Sequence, residues 1–449
     1  MNTLWKDLRA TMALGIPLVI AQVCMMAMSL TDAILVGRGV GTQALAAMAL
    51  ALSFANVPFI ALFGLSSATS ILVARAFGGG RIGELPAILR HGLMLSVLAA
   101  GVVGFFVAWL FGHLSWFDYL GQSPELIPIA KPYMYLYATA FVFMLCGGHC
   151  RAFCESQNKP WLPLYVILGS IAANAVLDYA FIYGAFGFPK LGLMGAGLAT
   201  LLCAAAQFFG LVAIILKNRL NLKLGQLLDF SFTRAFVARH LRLGIPTALQ
   251  IGIEIGAISI VAMFAGMIGA PTLAAHHITM QVASFSFMVP LGMSFATSIR
   301  ISQAAGANDR PRVLAIIRSS MIFAALWTGL AGIVILVCHG AIPTAFTHDA
   351  EVVGIAAGFL IVAGLFQVFD GVQCTAIGAL RGLKDVNAPT VIVVLIYWVM
   401  ELPLAWVLCF HTPLGGLGVW LSMFFGLVLS ATFLTSRLRR VAATKVLND

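Results

Sequence analysis

The sequence predicts an all-α polytopic membrane protein with twelve transmembrane helices in two parallel six-helix repeats. Three observations carry this. Of 449 residues, 61% are apolar and only 9% charged, against about 25% charged in an ordinary soluble domain. Basic residues alternate cleanly between the two ends of the apolar runs. The second half of the chain repeats the first, polar residues included.

The composition excludes a cytosolic enzyme, a disordered chain and a secreted disulfide scaffold, because 9% charge cannot cover a water-exposed surface. A β-barrel would alternate polar and apolar residues rather than run continuously apolar. A helix needs about 20 mostly apolar residues to cross a bilayer. Runs of that kind lie at roughly 11–36, 47–74, 88–112, 130–150, 161–184, 193–216, 243–268, 277–300, 314–339, 352–378, 389–410 and 416–436. The opening MNTLWKDLRATMALGIP lacks the short apolar core and small-residue cleavage site of a signal peptide, so the first run is a retained span.

Charge orients the set. With the N-terminus placed in the cytoplasm, 23 of the 26 Lys and Arg fall inside, and only Arg38, Lys131 and Lys190 fall outside. A missed helix would scramble this alternation, so both termini are expected in the cytoplasm. The net charge of +10 is then a topology signal and not a nucleic-acid footprint, since no basic run sits on a soluble module.

The polar stretch near 217–242 divides the spans six and six. LGIP at Leu14–Pro17 returns at Leu243–Pro246, a shift of 229. Gly64–Arg90 against Gly292–Arg318, at a shift of 228, shows 11 identities in 27 ungapped positions. Leu191-Gly192 and Gly195 match Leu414-Gly415 and Gly418 at 223. The expected lobes are 1–220 and 243–449, the latter with a short cytoplasmic tail, joined by a cytoplasmic loop at 221–242. Six is even, so the copies enter the membrane from the same side. That geometry suits a two-lobed transporter in which one lobe rocks against the other.

Five acids fall inside the spans: Asp32, Asp178, Glu254, Asp370 and Glu401. Each costs about 2.5–3.5 kcal/mol to insert, so each reads as functional. No Lys or Arg lies deep in a span, which leaves these carboxylates to be neutralised by protons, metal cations or a cationic solute. At a shift of 223, Asp178 falls on Glu401. Asn174 and Asp178 are four residues apart and share a helix face. Other signals point to packing: Cys146, His149, Cys150 and Cys154 at helical spacing with Arg151 among them, a strandless Gly78/Gly80/Gly83 frame, and an interfacial His276-His277 pair. No HExxH, GxSxG or nucleophile–base cluster marks an enzyme.

The motifs make the chain resemble the multidrug and toxic compound extrusion (MATE) family, in its NorM-like branch, over essentially its whole length. They are LGIP opening each lobe, the aspartate of SLTDAILVG, the glutamate of IGIEIGA, LAAHHI after the seventh span, and FQVFDGVQCTAIGALRGLKD. The resemblance implies two six-helix bundles forming a V, and export of organic cations and lipophilic drugs in exchange for H⁺ or Na⁺, with no cofactor. It implies a monomer in the bacterial inner membrane, in contact with lipid and small-molecule cationic substrates. Glu254 and Asp370 would be the C-lobe coupling acids, and metal ligands only if the ion is Na⁺. Asp32, Asn174, Asp178 and Thr200 would form an N-lobe polar network. Two residues depart from the pattern. Phe366 stands where a Tyr is often found, and Glu401 stands where a small residue is common. The alternatives are a flippase for lipid-linked precursors, which needs buried cations toward its cavity, a narrow metabolite exporter, and a major-facilitator transporter, whose G-x-x-x-D-R-x-G-R-like run is absent from ARAFGGGRIGELP.

Overall fold

The computed structural model describes residues 2–112, 125–227, 229 and 231–444. Among them are twelve helices long and apolar enough to span a membrane, and no strands. They are α1 (Asn2–Gly39), α2 (Thr42–Gly78), α3 (Leu85–Gly112), α4 (Leu126–Glu155), α5 (Trp161–Tyr183) and α6 (Leu193–Lys217). The second set is α7 (Arg234–Ile268), α8 (Ala270–Gly306), α9 (Arg310–Cys338), α10 (Ala350–Gly382), α11 (Asn387–Phe410) and α12 (Gly416–Thr444). Several run past the apolar windows, α1 and α8 most of all. Hydropathy sees only the part that lipid would surround, whereas backbone hydrogen bonding continues into the polar flank.

The two repeats build alike. In the first, α4 is central and packs on α2, α3 and α6; in the second, α10 packs on α8, α9 and α12. The outer helices α3 and α9 expose matching apolar stripes: Leu98, Val102, Phe105, Phe106 and Trp109 against Leu326, Leu330, Ile333, Val334 and Val337. These pairs share the 228-residue shift. In lipid, apolar burial does not drive helices together, so cores close through small residues that let backbones approach. Accordingly Ala44, Ala47, Ala51 and Ala55 of α2 meet Ala130, Ala138 and Phe141 of α4.

Contacts divide the chain into Ile20–Ala248 (the N-unit) and Met1–Val19 with Leu249–Asp449 (the C-unit). The cuts fall inside α1 and α7, not in the 221–242 segment. They fall at equivalent residues, since Val19 and Ala248 differ by the LGIP shift of 229. Each unit therefore contains half of the other repeat's first helix, held by a glycine crossing. A Cβ on Gly64 would lie 2.4 Å from the Ala248 nitrogen, and one on Gly292 would lie 2.8 Å from the Val19 nitrogen.

The two crossings are fastened by different chemistry. In the C-unit, Arg300 of α8 donates to the Asp7 carbonyl (2.6 Å), to Asp7 Oδ1 (2.9 Å) and to Thr11. In the N-unit, His240, the repeat equivalent of Thr11, bonds Thr69 (3.2 Å). Thr69 also meets His149 Nδ1 (2.6 Å), whose Nε2 meets Ser96 (2.5 Å). Both ring nitrogens of His149 are thus engaged away from Cys146, Cys150 and Cys154, all of which are free thiols. The segment before α7 is pinned to α3 by Arg90, which bonds Asp229 and Ser231, and by the Thr233 N–H donating to His91 Nε2 (2.9 Å). Asp229 lies outside the spans, and its hydrogen bonds from Ser231, with the Arg90 guanidinium nearby, hold its carboxyl below the usual carboxylate range.

Helix α11 is interrupted. Leu395–Glu401 is a π-turn between Asn387–Val394 and Leu402–Phe410. Pro403 explains it: the ring lacks an N–H and crowds the carbonyl four residues back, so the ladder widens ahead of it.

Candidate functional site

The N-unit acids come from α1 and α5. Asp178 is fully buried and Asn174 nearly so. The Asn174 amide sits between the acids, 2.9 Å from Asp32 Oδ1 and 3.3 Å from Asp178 Oδ2 with its nitrogen facing both. In that orientation both contacts are hydrogen bonds. The two carboxyls thus share one amide and act on each other electrostatically. Asp178 Oδ1 remains buried without a partner. The arrangement is a carboxyl pair with one amide bridge and no cation. Tyr133 and Tyr137 of α4, stacked with centroids 5.9 Å apart, lie within the field of these acids. Sequence reading missed both, because nothing local sets a tyrosine on α4 apart from core. Thr200 is buried near Cys203 on α6, but its hydroxyl donates to the Ala196 carbonyl of its own helix (2.9 Å).

The C-unit acids come from α7, α10 and α11. Glu254 lies within the electrostatic reach of both Asp370 and Glu401. Gln373, one turn past Asp370, donates to Tyr397 Oη (2.6 Å), and the Trp398 indole donates to the Ile253 carbonyl beside Glu254 (3.0 Å). The π-turn thus lies against α7 at the acid. Among the described residues no three of His, Cys, Asp or Glu converge as metal ligands. A Na⁺ ion on Glu254 and Asp370 would need further oxygens from amides, backbone or water.

Two expectations are corrected. First, Glu401 is not the structural counterpart of Asp178. The α5–α6 hairpin closes where a Cβ on Gly195 would lie 2.7 Å from the Phe181 carbonyl, and α11–α12 closes identically at Gly418 and Leu408 (2.7 Å). Asp178 lies three residues before its closing contact and Glu401 lies seven before its own, the place of Asn174. The 223-residue shift belongs to the loop, which is shorter in the second repeat. Second, the acids do not all lack a built-in cation, because Arg381 at the end of α10 reaches Gln250 (3.4 Å) and acts electrostatically on Glu254. It looked like a loop residue only because the apolar run ends before it. His276 is buried against Trp420 (centroids 5.5 Å) and His277 is exposed. Phe366 stacks on the same fully buried indole (5.9 Å, 3° between planes), so that position is part of an aromatic core.

Glu401 packs on Gly426, where a Cβ would lie 2.2 Å from its Oε2. Gly426→Val is expected to destabilise the protein by about 1–3 kcal/mol through overpacking, and Glu401→Ala in that background is expected to recover much of it. Thermal unfolding of the two variants in detergent checks this. No recovery would mean the valine clashes with something other than the carboxylate.

A duplicated six-helix membrane unit with acids buried in each copy defines the class: a membrane transporter of the two-repeat kind. The chain belongs to the MatE family, which it matches over residues 17–180 and 246–407, one block per repeat. It is 34% identical to the "Probable multidrug resistance protein NorM" of Mesorhizobium japonicum, covering 98% of this chain and 95% of that one. It is 32% identical to the "Multidrug resistance protein NorM" of Burkholderia vietnamiensis, covering 95% and 92%. In fold it is similar to the Vibrio cholerae MATE transporter VcmN in its bent form, with a TM-score of 0.87 at 16% identity over 100% of this chain and 99% of that one. It is also similar to the eukaryotic MATE transporter AtDTX14, with a TM-score of 0.85 at 18% identity over 99% and 100%.

Proposed function

We propose that the protein is a secondary active exporter of organic cations and lipophilic drugs, working by antiport with H⁺ or Na⁺ across the bacterial inner membrane. The observation that carries this is the Asp32–Asn174–Asp178 arrangement: two membrane-embedded carboxyls bridged by one amide, with one carboxylate oxygen buried without a partner. Such a pair needs a proton or another cation to persist in low dielectric. A coupling ion that neutralises the acids displaces a cationic substrate held by the same charges. Exchange follows if ion and substrate bind in opposition and each favours a different state of the alternating-access cycle. Phe366 offers no oxygen to a metal ion, and this favours H⁺. The charge alternation places both termini in the cytoplasm, and the protein works as a monomer in contact with lipid.

The test is ethidium efflux from vesicles under a proton gradient and a sodium gradient imposed separately. Glu254→Gln and Asp370→Asn are expected to insert normally and to lose efflux. Efflux on ΔpH alone would establish H⁺ coupling, and a sodium requirement would establish Na⁺. Normal pumping by both variants would remove the C-unit acids from the coupling path. No efflux by inserted wild-type protein under either gradient would turn the reading toward a narrow metabolite exporter or a flippase.

A further inference from the structure

We propose that Arg381 is a tethered counter-cation for Glu254, a guanidinium that answers the acid when no mobile cation is present and thereby weakens the hold of the C-unit on coupling ion and cationic substrate alike. The proposal rests on the antiport reading and adds a residue to it.

Arg381 lies eleven residues after Asp370, about three helical turns, so both project from one face of α10. Gln250, which accepts from Arg381 at 3.4 Å, lies one turn before Glu254 on α7. The guanidinium Nε is buried with no partner. Among the described residues no carboxylate is within ion-pairing distance of Arg381. A half-buried guanidinium with its Nε enclosed and no carboxylate beside it is costly, so a charge at longer range must offset it. The interaction of Arg381 with Glu254 supplies that charge.

The first repeat shows what is different here. On α4, Arg151 reaches Gln22 of α1 at 3.4 Å, the same fourth-helix-to-first-helix contact between arginine and glutamine. But Glu155, four residues on, closes an ion pair with Arg151 at 2.6 Å. Asp385 stands four residues after Arg381, and it is drawn off by Arg437 of α12, at 2.7 Å. The N-unit arginine is neutralised by its own acid. The C-unit arginine has lost that acid to a third helix, and from Gln250, one turn before Glu254, its charge acts on Glu254 instead. A fixed cation there competes with every mobile one, which keeps the site from trapping its ion.

The experiment titrates the intrinsic tryptophan fluorescence of purified protein with H⁺ and with Na⁺, and measures ethidium binding beside ethidium efflux. Trp398, hydrogen-bonded next to Glu254, supplies a local reporter. Arg381→Gln is expected to tighten cation binding on the order of tenfold, one logarithmic unit in the titration midpoint, to tighten ethidium binding, and to slow turnover. Arg381→Lys, which keeps the charge, is expected to stay near wild type. In a Glu254→Gln background the Arg381→Gln shift is expected to vanish. An unchanged midpoint, or the same shift without Glu254, would overturn the proposal, as would equal losses in the Gln and Lys variants with ion dependence unaltered. Should Arg381→Gln fail to fold, Gln250→Ala carries the test. It removes the amide that holds the guanidinium one turn from Glu254 and is expected to move the midpoint the same way; no movement overturns the proposal. Wild-type protein that fails to pump would sink the antiport reading, while the fluorescence titration would still decide the role of Arg381.

Discussion

Asp178→Asn is expected to abolish ion-driven efflux, to the level of empty vesicles, while leaving the protein folded and inserted. The hydrogen bonds of the N-unit explain both halves of that result. In the native arrangement Asn174 donates to both acids, and two carboxyls joined by one amide need a proton or another cation to balance their charge. An asparagine at 178 accepts from Asn174 through its oxygen and donates to Asp32 through its nitrogen. The network is then satisfied permanently, with no ion needed to complete it and none released when substrate arrives. Fold is kept because no buried group is orphaned. Exchange is lost because ion and substrate no longer bind in opposition. Efflux at the wild-type rate under the same imposed gradient would show that the N-unit pair lies outside the coupling path.

The largest effect on stability is expected from Arg300→Ala. The Arg300 side chain is 6% exposed and that of Asp7 is 18% exposed, and the guanidinium holds Asp7 through both its carboxylate and its carbonyl as well as Thr11. Removing one partner of a buried pair leaves the other charge uncompensated, which costs about 3–5 kcal/mol. Replacing both partners by apolar residues of similar volume is often close to neutral. Arg300→Met with Asp7→Leu is therefore expected to recover most of the stability lost in Arg300→Ala. Thermal unfolding in detergent of the single and double variants checks this. A double variant as unstable as the single would mean that the contacts to Thr11 and the Asp7 carbonyl, rather than the ion pair, fasten the crossing. The N-unit crossing depends instead on the His240–Thr69–His149–Ser96 chain, whose members are neutral hydrogen-bonding groups, so its deletions are expected to cost less.

Some of this was readable along the chain and some was not. The twelve spans, the duplication and the identity of the embedded acids are one-dimensional signals. A bilayer selects long apolar runs, and an acid inside such a run stands out by its cost alone. Even the site pair Asn174 and Asp178 was legible, since four residues on a helix share a face. That Asn174 lies between Asp32 and Asp178 was not, because it depends on how α1 and α5 pack. Glu401 was legible as an embedded acid and misread in register. The hairpin contacts at Gly195 and Gly418, not the alignment of the loops, decide which residue of α11 matches which residue of α5. Arg381 was misread as a loop cation, since hydropathy reports where an apolar run stops and not which way a long side chain turns.

Composition, periodicity and charge order alone therefore specify the class of molecule, the number of crossings and the inventory of costly charges, because lipid acts on each segment through its own polarity. Partnership was left to the tertiary structure: which carboxyl meets which amide, which arginine keeps its acid, and where one repeat's first helix is cut between the two units. Those outcomes depend on contacts between segments far apart in the chain, on glycine-sized approaches at Gly64 and Gly292 and on a widened turn ahead of Pro403. No local pattern encodes them.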